Sequence, residues 1–118
     1  MSLDLKKIYE YQRKFAEDRD WEQFHTPKNL AMALSVEASE LLEIFQWLTP
    51  EQSQNIKKDD LLMESISDEV SDTLYYLLRI ADILKIDLEQ ALYNKMKKNE
   101  EKYPVEKSKG IAKKYNQL

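Results

Sequence analysis

The chain has one Gly and three Pro in 118 residues. Sheet folds need turn residues between many short strands, whereas helix interiors tolerate neither Gly nor Pro. The scarcity therefore predicts a few long helices. It also excludes a phosphate-cradling Gly-rich loop, because the only glycine, Gly110, lies near the C-terminus. Any phosphate site must use side chains or a metal.

Hydrophobic spacing divides the chain into four main helices. The first covers Leu3 to Asp18, with Leu5, Ile8, Tyr11/Gln12 and Phe15 on one face. A polar, aromatic loop follows, Arg19-Asp20-Trp21-Glu22-Gln23-Phe24-His25. Thr26-Pro27 reads as an N-cap with proline at the first helical position. From there a second helix reaches about Trp47, with Leu30, Ala33, Leu34, Leu41, Ile44, Phe45 and Leu48 as its apolar positions. Thr49-Pro50 repeats the start signal and predicts a short helical turn. Residues 53–60 read as a polar connection, and Asp59 or Asp60 caps the third helix. That helix reaches about Leu84 through Leu62, Ile66, Val70, Leu74, Leu77, Ile80 and Ala81. Asp87 caps a fourth helix over Leu88–Lys102, which Tyr103-Pro104 ends. Residues 105–118 read as a partly irregular tail. The expected fold is an all-α four-helix bundle, one domain over 1–118.

The apolar fraction of 42% supports a core. A chain of this size buries only about two-thirds of its unfolded surface, and oligomerisation relieves that shortage. Cys is absent, which excludes disulfides and thiolate chemistry. No signal-type segment and no run of about 18 apolar residues occurs, so a soluble, cytoplasmic protein is expected, with no membrane partner. The net charge of −4 is uneven. Residues 95–118 carry eight Lys and three Glu, or +5, leaving −9 for the rest. A basic tail on an acidic body reads either as a solvated segment or as a grip for a polyanion.

Glu37 and Glu40 are three apart on the second helix, and Glu69 and Asp72 are three apart on the third. Residues at i and i+3 point the same way, so each helix can offer two carboxylates to one point. Such pairs read as a solvated acidic face or as a hard-cation site. Glu37 lies one turn from Leu34 and Leu41, and Glu69 follows Ile66 by three, so both intrude on apolar stripes. Buried carboxylates are costly unless paired or metal-bound. With no Cys and only His25 as imidazole, an oxygen-only set suits Mg²⁺ or Mn²⁺. Lys95, Asn99 and Tyr103 recur every four residues on the fourth helix, a face that suits phosphate and base or is ordinary surface. Trp21, Phe24 and Trp47 can stack on a base or cap the bundle. Tyr76, one turn after Asp72, either packs in the core or stands beside the metal. His25 reads as an acid, a base or a hydrogen-bonded structural residue.

These residues also carry a resemblance. E37-A-S-E40, then 28 residues, then E69-V-S-D72 resembles the E-x-x-E…E-x-x-D signature of the MazG-like all-alpha NTP pyrophosphohydrolase superfamily. The segments 18–34, 40–47, 68–82 and 95–110 look most like its dCTP pyrophosphatase branch. The resemblance implies Glu37, Glu40, Glu69 and Asp72 as metal ligands, with Mg²⁺ bound and Mn²⁺ able to substitute. It implies Trp47, Tyr76, Lys95, Asn99 and Tyr103 at the nucleotide, with Lys95 on phosphate, and Trp21 and His25 in a loop closing the base pocket. Glu40, Glu69 and Lys95 become the expected catalytic residues, with Glu40 orienting or deprotonating the attacking water. It further implies hydrolysis of a nucleoside triphosphate, dCTP or a related pyrimidine, to monophosphate and pyrophosphate, in a homodimer or homotetramer with no nucleic-acid partner. Gln12 stands where mammalian members of this branch have a histidine, so base preference does not carry over with the rest. The competing reading is a non-enzymatic helical module that binds through the Lys-rich tail.

Overall fold

The computed structural model describes all residues, 1–118. It contains helices and turns and no strand. Four long helices are present: α1 (Leu5–Asp18), α2 (Pro27–Phe45), α4 (Asp60–Ile83) and α5 (Leu88–Lys102), with the short α3 (Pro50–Gln54) and α6 (Val105–Ser108) between and after them. Side-chain caps set most starts. Asp4, Thr26, Asp59 and Asp87 each accept from the backbone N–H three residues on, satisfying a donor that has no partner inside its helix. Asp59 is thus the cap of α4, and Asp60 is its first residue.

Two segments differ from the sequence reading. The connection at 53–60 is more ordered than expected. Thr49 and Gln52 form a reciprocal capping box that carries α3 through Gln54, and a 3₁₀ turn covers Ile56–Lys58. Helix α2 stops at Phe45, short of Trp47, because Gln46 and Leu48 N–H bond three residues back, to Glu43 and Phe45, and tighten the last turn. The tail carries α6 and a 3₁₀ turn at Tyr115–Gln117.

The chain divides into two compact units, Met1–Lys85 and Ile86–Leu118. In the first, α4 is the central helix, with α2 and α1 packed on it. Its tightest part holds Ala16, Leu30, Leu78 and Ala81. Alanine's small side chain lets neighbouring helices pack closely, and Ala16, Leu30 and Ala81 are among the most buried apolar residues. Gln12, Arg79 and Asp82 are buried with them. Leu62, Ile66, Ile80 and Ala81 of the α4 stripe turn inward, but Val70, Leu74 and Leu77 stay exposed. The apolar surface of α4 is wider than its neighbours in the unit cover. The second unit contains α5 and α6. No helix is long and apolar enough to cross a membrane.

Candidate active site

Packing of α2 on α4 joins the two acidic pairs. One oxygen from each of Glu37, Glu40 and Glu69 lies within 4.8 Å of the others. Glu40 is exposed, while Glu37 and Glu69 are half-buried, and one oxygen of each of those two is buried with no hydrogen-bond partner. Such oxygens keep their desolvation cost until something binds them. Burial, then hydrogen bonding with Glu40 and Glu69, then the charges of Glu40 and Asp72, push the Glu37 carboxyl up to about 7. Glu69 is also raised, mainly by burial. Asp72 stands outside the close trio on the wall of an adjoining cavity, near enough for its charge to act on both glutamates. The donor set is all oxygen and clustered, and two of its buried oxygens are unsatisfied. That is the chemistry a hard divalent cation accepts.

The cavity beside the acids has a volume of about 340 Å³. This is within the range of small-molecule sites, roughly 300–1,000 Å³. Glu37 and Asp72 form its acidic side, and Tyr76 stands next to them. Burial first, then the charges of Glu37 and Asp72, raise the Tyr76 hydroxyl above its ordinary value. Tyr11, Phe15, Trp21, His25 and Tyr75 complete the wall. Their rings interlock: Phe15 meets Trp21 edge-on at 5.8 Å, and Trp21 lies 6.3 Å from His25. Offset and edge-on contacts of this kind leave faces on which a planar base can stack.

The loop that supplies Trp21 and His25 is held at several points. Asp20 takes a left-handed φ of 54°, and the Trp21 N–H then reaches back to the Ala16 carbonyl at 2.8 Å. A 3₁₀ turn over Glu22–Phe24 follows, and the Asn29 side chain donates to the Phe24 carbonyl. Gln12, 0% exposed, donates through Nε2 to the Tyr75 carbonyl and so ties α1 to α4 behind the cavity.

The expected residues are therefore distributed unevenly. Glu37, Asp72, Tyr76, Trp21 and His25 surround one cavity, with Glu40 and Glu69 beside Glu37. Trp47 follows the end of α2, is 87% exposed and does not line the cavity. Lys95, Asn99 and Tyr103 belong to the second unit, with Lys95 and Asn99 on exposed turns of α5 and Tyr103 capping its end. There the Tyr103 hydroxyl accepts the Tyr115 N–H, and the two rings meet edge-on at 6.2 Å. Sequence reasoning missed Tyr11, Phe15 and Tyr75 as cavity residues. It read the first two as core of α1. The usable signal was their i, i+4 spacing immediately before a loop rich in aromatics.

The sequence profile of the MazG-like family matches residues 32–118. The dCTP pyrophosphatase 1 of Bos taurus is 41% identical over 114 residues, covering 97% of this chain and 68% of the bovine protein. The dCTP pyrophosphatase 1 of Homo sapiens is 37% identical over 114 residues, with 97% and 67% covered. The crystal structure of a pyrophosphatase from Archaeoglobus fulgidus superposes with a TM-score of 0.77 at 37% identity, over 88% of this chain and 95% of that one.

Proposed function

The chain belongs to the MazG-like family, and on that premise we propose that it hydrolyses dCTP or a related pyrimidine nucleotide, using a hard divalent cation. Its kinship with dCTP pyrophosphatases makes it a nucleoside triphosphate pyrophosphohydrolase. The observation that carries the finer reading is the trio of Glu37, Glu40 and Glu69, with two buried unpartnered oxygens, beside an aromatic cavity. The alternative of a binding module working through the Lys-rich tail leaves that costly trio without a purpose.

Glu37, Glu40, Glu69 and Asp72 are the residues that would hold Mg²⁺, or Mn²⁺ in its place. A cation there supplies charge neutralisation on phosphate oxygens and a more acidic water. The chain's own part is to bind, orient and move one proton. Tyr76, Trp21 and His25 hold the base in the cavity; nucleotide contacts for Trp47, Asn99 and Tyr103, and a phosphate contact for Lys95, rest on the family resemblance alone. Lys95 offsets charge on the phosphates. Glu40, the exposed member of the trio, accepts the proton of the attacking water. Water adds at the α-phosphorus, the α–β anhydride bond breaks, and pyrophosphate leaves. We take the whole chain as one catalytic domain that works in the cytoplasm as a homodimer or homotetramer. The exposed Val70, Leu74 and Leu77 stripe supports the oligomer.

Two measurements follow. Purified protein with Mg²⁺ and a panel of nucleoside triphosphates should release pyrophosphate fastest from dCTP; no pyrophosphate from any nucleotide sinks the proposal. The second concerns stability in EDTA. A carboxyl raised from its usual 4.5 to about 7 binds its proton more tightly when folded. Its contribution is fully present below pH 4.5 and is lost as pH rises to 7. Burial and Arg79 lower His25, which acts oppositely, because acid then favours the unfolded chain below the imidazole's usual 6.5. Thermal melts of Glu37→Gln beside the unsubstituted chain separate the two. The variant should gain melting temperature most at pH 7, and equal gains at pH 4.5 and 7 would remove Glu37 as the titrating group.

A further inference from the structure

One side chain of the aromatic cavity has its hydrogen-bonding state set from behind. Arg79, on the C-terminal half of α4, is 5% exposed, and its Nε donates to His25 Nδ1 at 3.1 Å. A guanidinium offers only donors and keeps its proton in proteins. Nδ1 must therefore present a lone pair. The ring is then neutral, and its one proton sits on Nε2. No group of the chain bonds to Nε2, and it is not one of the buried unpartnered atoms. His25 lines the cavity, and the free edge of its ring carries an N–H donor.

Arg79 is itself held. Its Nη1 lies 3.6 Å from Asp82 Oδ2. Asp82 also takes both oxygens to Arg13 of α1: Arg13 Nε donates to Oδ2 at 2.9 Å, and Nη2 donates to Oδ1. A line of contacts thus runs from the surface of α1 through Asp82 and Arg79 to the cavity. Asp82 has two good donors from Arg13 without Arg79, so neutralising Asp82 does not account for burying a second guanidinium there. What Arg79 adds is the bond to His25. Burial and the adjacent guanidinium also hold His25 below the ordinary imidazole range, against a smaller opposing pull from Glu22.

We propose that Arg79 is a positioning residue for base recognition, locking His25 in the neutral Nε2–H tautomer so that the cavity meets the base with a fixed donor. The ligand edge this fits is a hydrogen-bond acceptor on the base, such as a pyrimidine ring nitrogen or carbonyl oxygen. A protonated ring, or the other tautomer, presents a different pattern. The inference rests on the cavity being the base site proposed above.

His25 is the only histidine, so labelling the full chain with ¹⁵N-histidine yields a single imidazole spectrum. At pH 7.5 the unsubstituted chain should show Nδ1 unprotonated and Nε2 protonated. Arg79→Met should mix the two tautomers and raise KM for dCTP about tenfold, the loss of one well-placed hydrogen bond, with little change in kcat. Arg79→Lys keeps a cation against Asp82 but not the fork that spans Asp82 and His25, so it should shift spectrum and KM the same way while protecting the fold. In a His25→Gln background, Arg79→Lys should add no further change in KM. If both Arg79 variants keep the original nitrogen pattern and KM, the positioning role is overturned and the enzyme reading stands. If His25→Ala leaves KM unchanged for every nucleotide, His25 does not meet the base, and the inference falls with the base-site reading.

Discussion

Glu69→Ala lowers kcat/KM for dCTP by about 10³-fold, as expected when a group that organises charge around a reacting phosphate is removed, and it leaves the helical content unchanged. Glu69 is half-buried on α4 and supplies one of three oxygens that converge within 4.8 Å. One of its oxygens is buried without a partner. A structural carboxylate behaves differently, since its partners would be stranded and the protein would melt earlier. Beside its hydrogen bonding with Glu37, Glu69 meets the like charges of Glu40 and Asp72, and its removal relieves them. In EDTA, Glu69→Ala should therefore melt higher than the unsubstituted chain while turning over far less, the usual sign of a residue retained for function at the expense of stability. Pyrophosphate release, far-UV circular dichroism and a thermal melt in EDTA together check this. Retained turnover removes Glu69 from the site, and a lower melting temperature makes it structural.

Asp82→Ala should produce the largest loss of stability. The Asp82 side chain is 7% exposed and Arg79's is 6%. Removing the carboxylate leaves the buried Arg79 guanidinium with no counter-charge, only the neutral His25 beside it. Breaking one side of a buried pair costs about 3–5 kcal/mol. In a chain of this size that lowers the melting temperature by roughly 4 °C for each kcal/mol. Arg13 contributes little of this, because its side chain is 52% exposed and solvent screens it. Asp82→Asn keeps the shape and some hydrogen bonding and should lose less. Urea denaturation followed by circular dichroism gives the number. A loss below about 1 kcal/mol means that water reaches Arg79 and the network is a surface pair.

Much of this arrangement is legible in the sequence, for physical reasons that can be stated residue by residue. Thr26-Pro27, Thr49-Pro50 and Asp87 mark helix starts because capping is local chemistry, complete within four residues. Helix α5 follows its expected bounds, Leu88–Lys102, for the same reason. The intrusion of Glu37 and Glu69 on apolar stripes is visible because i, i+3 periodicity survives without knowing the partner helix. What periodicity cannot say is which inward positions meet a neighbour and which line a cavity. Tyr11 and Phe15 belong to the wall, and Val70, Leu74 and Leu77 meet solvent, although all read as core. Spacing also treats Asp72 as the equal of Glu69, whereas the crossing of α2 over α4 brings only Glu69 into the close trio. The bond from Arg79 to His25 joins residues 54 apart, and nothing local to either announces it.

Glu69, Asp72, Tyr76, Arg79 and Asp82 lie three or four apart on one unbroken helix of 24 residues. They form a single stripe, so α4 acts as a ruler on which acid, aromatic and basic functions are marked in angular phase. Each residue of an α-helix advances the phase by about 100° and the length by about 1.5 Å. Adding one residue between Asp72 and Tyr76 would turn the histidine-holding end away from the face on which the acids stand, without breaking one contact within either group. A gain of seven residues, close to two turns, would restore the phase and separate the two ends by about 10 Å. Between Glu69 and Asp82, length variation in this chain can therefore come only in near-whole turns.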